Sequence, residues 1–482
     1  MNTPIHAVDR NAEHRAGGEF GASSGAARAW AQDIQRWDRP GPRYTSYPTA
    51  REFHDGVGPT EHAAALRNAG ALGQPLSLYL HLPFCKQQCL YCACNMVLSP
   101  YGRGEAPYLD AIVQEMRTVA ELMGHRPPPA AQLHLGGGTP TFHSPDHLHA
   151  LLTDLHELFP MRPDAEKAIE VDARVTSIEH LDVLASFGFK RLSVGVQDLD
   201  PTVQHAIGRV QSASEIRNLV AAARARGFTS INADLIYGLP HQRIASFRAT
   251  VEQVLGFGVD RFAIYAFAHV PWLKRHQRRL PEDALPQGVD KLLLLEAARE
   301  ALLQAGMVDI GMDHFAHPDD TLARAQRDAT LRRNFMGYTT DTATSLIGFG
   351  SSAISTLGGG YFQNATKLSD YERAAKSGGL ATERGVLLTP DDTERSAVIE
   401  ALMCSFAIVP ATFEARFGRS FRETFETEIR DLRALEEQGL LAAEGEGWRA
   451  TPLGRRLVRN IAMVFDAYRR AEGPTEGFSR TV

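Results

Sequence analysis

SLYLHLPFCKQQCLYCACNM (residues 77–96) joins a short apolar run to a loop that holds Cys85, Cys89, Cys92 and Cys94, four of the five cysteines in the chain. The run SLYLHL (77–82) is too short for a helix and reads as a buried strand. The loop spaces its thiols as C-x3-C-x2-C-x-C. Thiolates are soft ligands, suited to zinc and to iron–sulfur clusters. A structural zinc site wants four ligands, usually as two separated pairs, and no second pair exists here. Cys92 and Cys94 are too close in sequence to point at one ion together with the other two. Three thiolates on one loop suit three corners of a [4Fe–4S] cube, which leaves one iron without a protein ligand. Zinc and an inert thiol loop are the competing readings.

Outward from this loop, short apolar runs alternate with helical patterns. QLHLGG (132–137), AIEVDA (168–173), RLSVGV (191–196), NADLIYG (232–238) and RFAIYAF (261–267) read as further strands. PYLDAIVQEMRTVAELM (107–123) has the three- and four-residue apolar spacing of a helix. Thr176…Glu179 and Ser212…Glu215 match the capping box, in which hydroxyl and carboxylate satisfy orphan amides. Six strand–helix alternations predict a parallel sheet, open or partly closed into a barrel. No dinucleotide fingerprint follows the first strand; the cysteine loop does. Function is expected at the C-terminal ends of the strands.

The whole chain bounds the function classes. It has 482 residues, 44% hydrophobic and 22% charged, with formal net charge −6. This is an ordinary soluble globular profile. The acidic excess argues against a general nucleic-acid binder. No run of 18 apolar residues is present, and the N-terminus lacks a signal-peptide pattern, so the expected compartment is the cytoplasm. Five sparse, clustered cysteines do not make a disulfide framework.

The division expected along the chain is as follows. Residues 1–26 lack periodicity and open a mobile arm running to 40. Residues 41–75 form an extended segment over the active site, starting with GPRYTSYPTA (41–50). The barrel core takes 76–310, and 311–380 complete it on the substrate side. Residues 381–482 form a helical domain whose ETEIRDLRALEEQGLL and following hairpin look like a winged helix. That domain carries 14 Arg, no Lys and 17 acidic residues, the wrong sign for a DNA phosphate face. It reads as a packing or lid domain.

The C-x3-C-x2-C spacing after the first strand of a βα array resembles the radical S-adenosylmethionine (SAM) superfamily. The longer C-x3-C-x2-C-x-C, with GPRYTSYPTA, HLGGGTPTF, IEVDAR, RLSVGVQD, ADLIYGLP, GMDHFA, NF-x-GYTT and the final GFSRTV, resembles the oxygen-independent coproporphyrinogen III oxidase family. The resemblance runs from about residue 41 to the end. It implies a partial (β/α)6-type radical SAM barrel with a winged-helix-like C-terminal domain. It implies oxidative decarboxylation of two propionates of coproporphyrinogen III to vinyl groups, giving protoporphyrinogen IX. A [4Fe–4S] cluster would reduce SAM, and the resulting 5′-deoxyadenosyl radical would take a hydrogen from the propionate β-carbon. No side chain abstracts such a hydrogen, so the protein binds, orients and shields. An electron donor such as flavodoxin or ferredoxin, an unidentified electron acceptor, two SAM per site and a monomer also follow from the resemblance.

By the same resemblance, Cys85, Cys89 and Cys92 bind the cluster, and Cys94 does not. Gly137, Gly138 and Thr139 contact the SAM methionyl group, and Glu170 binds SAM. Glu170 and Asp172 alternate on one strand and so share a face. Gln197 and Asp234 sit in end-of-strand positions, and Arg209 suits a carboxylate. Tyr79 and Tyr91 flank the cluster loop, and Ala268 and Ile354 line the adenosyl site; all four are cofactor-binding candidates. Phe335 and Met336 lie near the substrate; Met336 stands where the family commonly has Gln, and a thioether cannot replace an amide's hydrogen bonds. Arg43, Lys274, Arg275, Arg278, Arg279, Arg332 and Arg333 are the basic groups available for four substrate carboxylates. His314 and His317 read as hydrogen-bonded structure rather than metal ligands. The nearest rival is a radical SAM haem chaperone. Such proteins usually lack the fourth cysteine, the RYTSYPT segment and the full C-terminal domain. A second rival is a non-catalytic iron–sulfur or DNA-binding regulator, which the acidic tail disfavours.

Overall fold

Six parallel strands build the centre: β1 Leu76–Leu82, β2 Ala130–Gly137, β3 Met161–Val171, β4 Arg191–Gln197, β5 Ser230–Tyr237 and β6 Arg261–Ala266. Each pairs in parallel with the next. The computed structural model describes residues 25–100, 102, 104–472 and 478–481, so the first 24 residues of the expected arm lie outside it. Alternation along each strand sets two faces. Leu78, Leu80, Leu133, Leu135, Ile169, Leu192, Val194 and Ile231 are buried in one core with the crossover helices. Each fully buried Leu contributes about 2 kcal/mol. Tyr79, His134, Glu170, Ser193 and Asp234 occupy the alternate positions and are less buried, so the inner face is polar. The helix Glu105–Leu122 buries Tyr108, Ile112, Met116 and Val119 at helical spacing.

The sheet continues on both flanks to twelve strands. Beyond β6 lie the antiparallel β7 Val308–Gly311 and β8 His314–Ala316, with β8 against β6. Beyond β1 lies β9 Ser345–Phe349, parallel to it. The antiparallel β10 Ile354–Leu357, β11 Gly360–Asn364 and β12 Thr382–Leu387 complete that side. The architecture is the expected partial barrel, with a longer sheet than the six alternations predict.

The C-terminal part is mostly helical, with helices Pro390–Ser405 and Glu426–Glu437. Strands Leu441–Glu444 and Gly447–Ala450 form a hairpin, and Ala407–Ile408 pairs with its second strand. The N-terminal segment is tied to this part. Tyr44 Oη donates to Asp466 at 2.8 Å, and Arg459 donates to the Pro42 carbonyl at 2.9 Å.

Three expectations need correction. Residues 25–35 form a helix rather than continuing the arm, with Ala31 and Ile34 in a core shared with Leu292 and Leu293. Ala27, Ala31 and Ile34 carry that helical spacing, but two alanines among polar residues make a weak signal. The 41–75 segment is not extended throughout: Pro59–Leu72 is a helix with Glu61 capping the Gly58 amide at 2.9 Å. The box at Thr176…Glu179 is displaced by one residue. Ser177 is the N-cap, and His180 Nδ1 accepts from its amide at 3.0 Å, while Thr176 bonds back to the Asp172 carbonyl at 2.8 Å. The Ser212…Glu215 box forms as read.

Candidate active site

The cysteine loop leaves β1 and folds back on the glycines that end β2. The Gly138 amide donates to the Leu82 carbonyl at 2.9 Å, and the Thr139 amide to the Phe84 carbonyl at 3.0 Å. A Cβ on Gly138 would lie 2.3 Å from the Pro83 oxygen. Gly137 has φ +113°, and a Cβ there would meet the His81 ring at 2.8 Å. Gly138 thus admits backbone against backbone, and Gly137 admits the His81 ring. Thr139 Oγ1 sits 3.4 Å from Cys85 Sγ.

The Cys89 sulfur faces two guanidinium groups. Arg174 Nη2 lies 3.6 Å and Arg209 Nη1 3.7 Å from Sγ. Asp172, one residue past β3, holds both arginines, at 2.6 Å and 2.8 Å. Burial raises the Asp172 carboxyl, but Arg209 and Arg174 outweigh it and hold the group below its usual range. Arg209 also donates to the Gly195 carbonyl at 2.6 Å, and its Nε is buried without a partner among the described residues. Burial pushes the Cys85 thiol up to about 11. A hydrogen bond with Cys94, then Lys274 and Arg209, draw Cys92 down. Cys94 is exposed, Cys89 buried, and all five cysteines are free.

The other expected residues line the inner face. Glu170 accepts from His134 Nε2 at 3.4 Å and from the Gly137 amide at 3.3 Å. Burial raises its carboxyl, but His134, the Gly137 amide and His81 together leave it lowered. Tyr79 stacks near His134 with centroids 5.9 Å apart and bonds His81 Nδ1 at 3.0 Å. Asp234 accepts from Ser193 and Asn232, both at 2.8 Å. Burial, then the Glu170 charge, push its carboxyl up to about 6. Gln197 is buried with φ +67°, a left-handed backbone unusual outside glycine.

Tyr91 and Ala268 meet through Gln277, whose Nε2 donates to both carbonyls, at 2.9 Å and 3.2 Å. Ile354 and Phe335 pack on an apolar cluster of Phe53, Tyr361 and Val386. Phe335 and Met336 form the tip of the hairpin Arg332–Asn334 and Gly337–Thr339.

The expected basic groups are not equivalent. Arg43 is ion-paired with Asp313 and lies 5.6 Å from the Tyr265 ring. Arg332 pairs with Glu400 at 3.7 Å, and Arg333 covers the Tyr338 ring at 4.7 Å. Lys274 donates to the Cys94 carbonyl at 2.9 Å. Arg275, Arg278 and Arg279 are exposed. His314 is pressed against Tyr338, and burial pushes it down to about 3, whereas His317 is exposed beside Asp319.

Sequence reasoning missed His81, His134 and Arg174. His134 was legible in principle, since strand alternation puts it on the same face as Gly136. Arg174 had no local signal. Among the described residues, no group of three or more His, Cys, Asp or Glu converges as a site for a single metal ion. The donor set does fit a thiolate-held cluster. It is all sulfur, and it carries N–H donors on Cys89.

Residues 79–254 match the Radical SAM superfamily, and residues 388–457 match the HemN C-terminal domain. An oxygen-independent coproporphyrinogen III oxidase from Pseudomonas aeruginosa is 44% identical over 91% of this chain and 96% of its own length. The Escherichia coli protein of the same name is 42% identical over 93% and 97%. A solved structure, coproporphyrinogen III oxidase (HemN) from Escherichia coli, described as a radical SAM enzyme, superposes with TM-score 0.85 at 41% identity. It covers 88% of this chain and 97% of that one.

Proposed function

Because the chain belongs to the oxygen-independent coproporphyrinogen III oxidase family of radical SAM enzymes, we propose a division of labour among its residues for that family's reaction. The enzyme decarboxylates coproporphyrinogen III oxidatively in haem biosynthesis, using a [4Fe–4S] cluster and SAM. When bound, this pair supplies the one-electron and hydrogen-abstraction chemistry that no side chain provides.

Cys85, Cys89 and Cys92 hold the cluster and leave one iron for SAM. The supporting observation is the sulfur set itself, with Thr139 on Cys85 and two guanidinium groups on Cys89. Gly137, Gly138 and Thr139 contact the methionyl group. Glu170, kept anionic beside His134, takes its amino group. Gln197 at the end of β4, Asp234 within β5 and Arg209, which reaches the Gly195 carbonyl, present polar groups to the ligand. Tyr79, Tyr91, Ala268 and Ile354 cover the nucleoside, and Phe335 and Met336 face the substrate. The same reading places two SAM per site. An external carrier such as flavodoxin or ferredoxin supplies electrons, and the protein works as a cytoplasmic monomer. No helix among the described residues is long and apolar enough to cross a membrane.

Anaerobic incubation of reconstituted protein with coproporphyrinogen III, SAM and dithionite tests this reading. Protoporphyrinogen IX with two CO2 per substrate is the expected outcome. Nucleoside release without CO2 would refute it.

A further inference from the structure

HVPWLKRHQRRLP (269–281) carries four Lys and Arg, two His and no acidic residue, in a chain of net charge −6. Trp272 and Leu273 are 65% and 67% exposed; no other two neighbouring large apolar residues of the described chain are so open. An exposed apolar pair set in cationic surroundings marks an interaction site.

The segment is fixed to the cysteine loop. Lys274 donates to the Cys94 carbonyl at 2.9 Å, His276 bonds the Cys92 carbonyl at 2.7 Å, and Gln277 donates to that of Tyr91 at 2.9 Å. Its inner side is packed, with Leu280 and Leu285 in a core with Leu90, Val203 and Ile207. On the outer side, Arg278 bonds the Pro271 carbonyl at 3.3 Å and so stands beside Trp272. Arg275 and Arg279 make no ion pair among the described residues. The concavity lined by Trp272, Arg278 and Leu280, with Glu282 beside His269 at its edge, holds about 280 Å³, too little for a macrocycle bearing four carboxylates. Radical chemistry also needs water kept out, which so open a surface does not do.

We propose that residues 269–281 are the docking surface for an acidic one-electron carrier protein that reduces the cluster. This rests on the cluster reading above and assigns a place to its electron supply. The transfer moves one electron: the carrier is oxidised by one and the cluster reduced by one, with no atom exchanged. The patch is opposite in sign to such a partner, and its bonds to the carbonyls of Cys92 and Cys94 bring the partner against the cluster loop.

The test uses the reconstituted holoenzyme and flavodoxin as the probe. Trp272→Glu should weaken flavodoxin binding at least tenfold, and Leu273→Ser severalfold. Wild-type binding should weaken steeply as NaCl rises. Dithionite should still reduce the cluster and drive SAM cleavage at the wild-type rate in both variants. Unchanged flavodoxin affinity, or affinity indifferent to salt, would overturn the proposal. So would a raised KM for coproporphyrinogen III with flavodoxin binding intact, which would assign the patch to substrate. A wild type that cleaves no SAM with dithionite would instead strike at the cluster reading itself, and the proposal would fall with it.

Discussion

Asp234 shows how single residues set the chemistry of the inner face. Burial first, and the Glu170 charge second, push its carboxyl up to about 6. Above that pH it is an anion able to accept from a ligand hydroxyl; below it, it is protonated. SAM affinity should therefore fall as the pH drops through 6. Asp234→Asn should remove that step and weaken binding about tenfold at pH 8, the worth of one charge-assisted hydrogen bond. Anaerobic equilibrium dialysis from pH 5.5 to 8 measures both. At this scale the sequence was legible only where function has a local pattern. The thiol spacing is such a pattern. His81 and Arg174 are not, because one histidine or arginine resembles any other until its neighbours are known. Arg174 matters through Cys89, 85 residues away along the chain.

At the scale of elements, the β1 loop and the end of β2 act as one unit. The three glycines were readable as a close approach, but not what approaches. At Gly136 and Gly137 it is the side chains of Glu170 and His81; at Gly138 it is the Pro83–Phe84 backbone, which cannot yield as a side chain can. Gly138→Ala should push the cysteine loop off β2, costing about 1–3 kcal/mol locally. Iron per chain after reconstitution should fall severalfold while circular dichroism stays that of the wild type. Wild-type iron content would show that the contact is dispensable. The displaced cap at Ser177 and the helix Gly25–Gln35 mark the limit of pattern reading. Competing hydroxyls and the low hydrophobic contrast of alanines decide such boundaries, and tertiary packing breaks the tie.

For the whole molecule, the six alternating strands were legible because each repeats a local signal. The remaining six were not, since β9 pairs with β1 from more than 260 residues away and strand preference does not name a partner. Glu115 joins these distant parts. It is buried on the helix Glu105–Leu122 and accepts from Asn364 at 2.6 Å, Tyr371 at 2.7 Å and the Gly350 amide at 2.8 Å. Burial outweighs these bonds and pushes its carboxyl up to about 7. A carboxyl raised on folding binds its proton more tightly in the folded state. Its contribution is present below the unfolded value near 4.5 and is lost as pH rises through 7, a span worth about 3 kcal/mol. Glu115→Gln keeps one of the two acceptor oxygens and removes the titration. Urea denaturation at pH 5 and pH 8 should show a smaller pH difference in the variant; equal differences would refute the assignment.

The most direct trial of the three-cornered centre is the iron content and reduced-state electron paramagnetic resonance of anoxically reconstituted wild type, Cys85→Ser and Cys94→Ser, each with and without SAM. Wild type and Cys94→Ser should carry about four iron per chain, and SAM should alter their spectra, while Cys85→Ser should lose the cluster. Equal loss in both variants, or a wild-type spectrum indifferent to SAM, would contradict an open fourth iron.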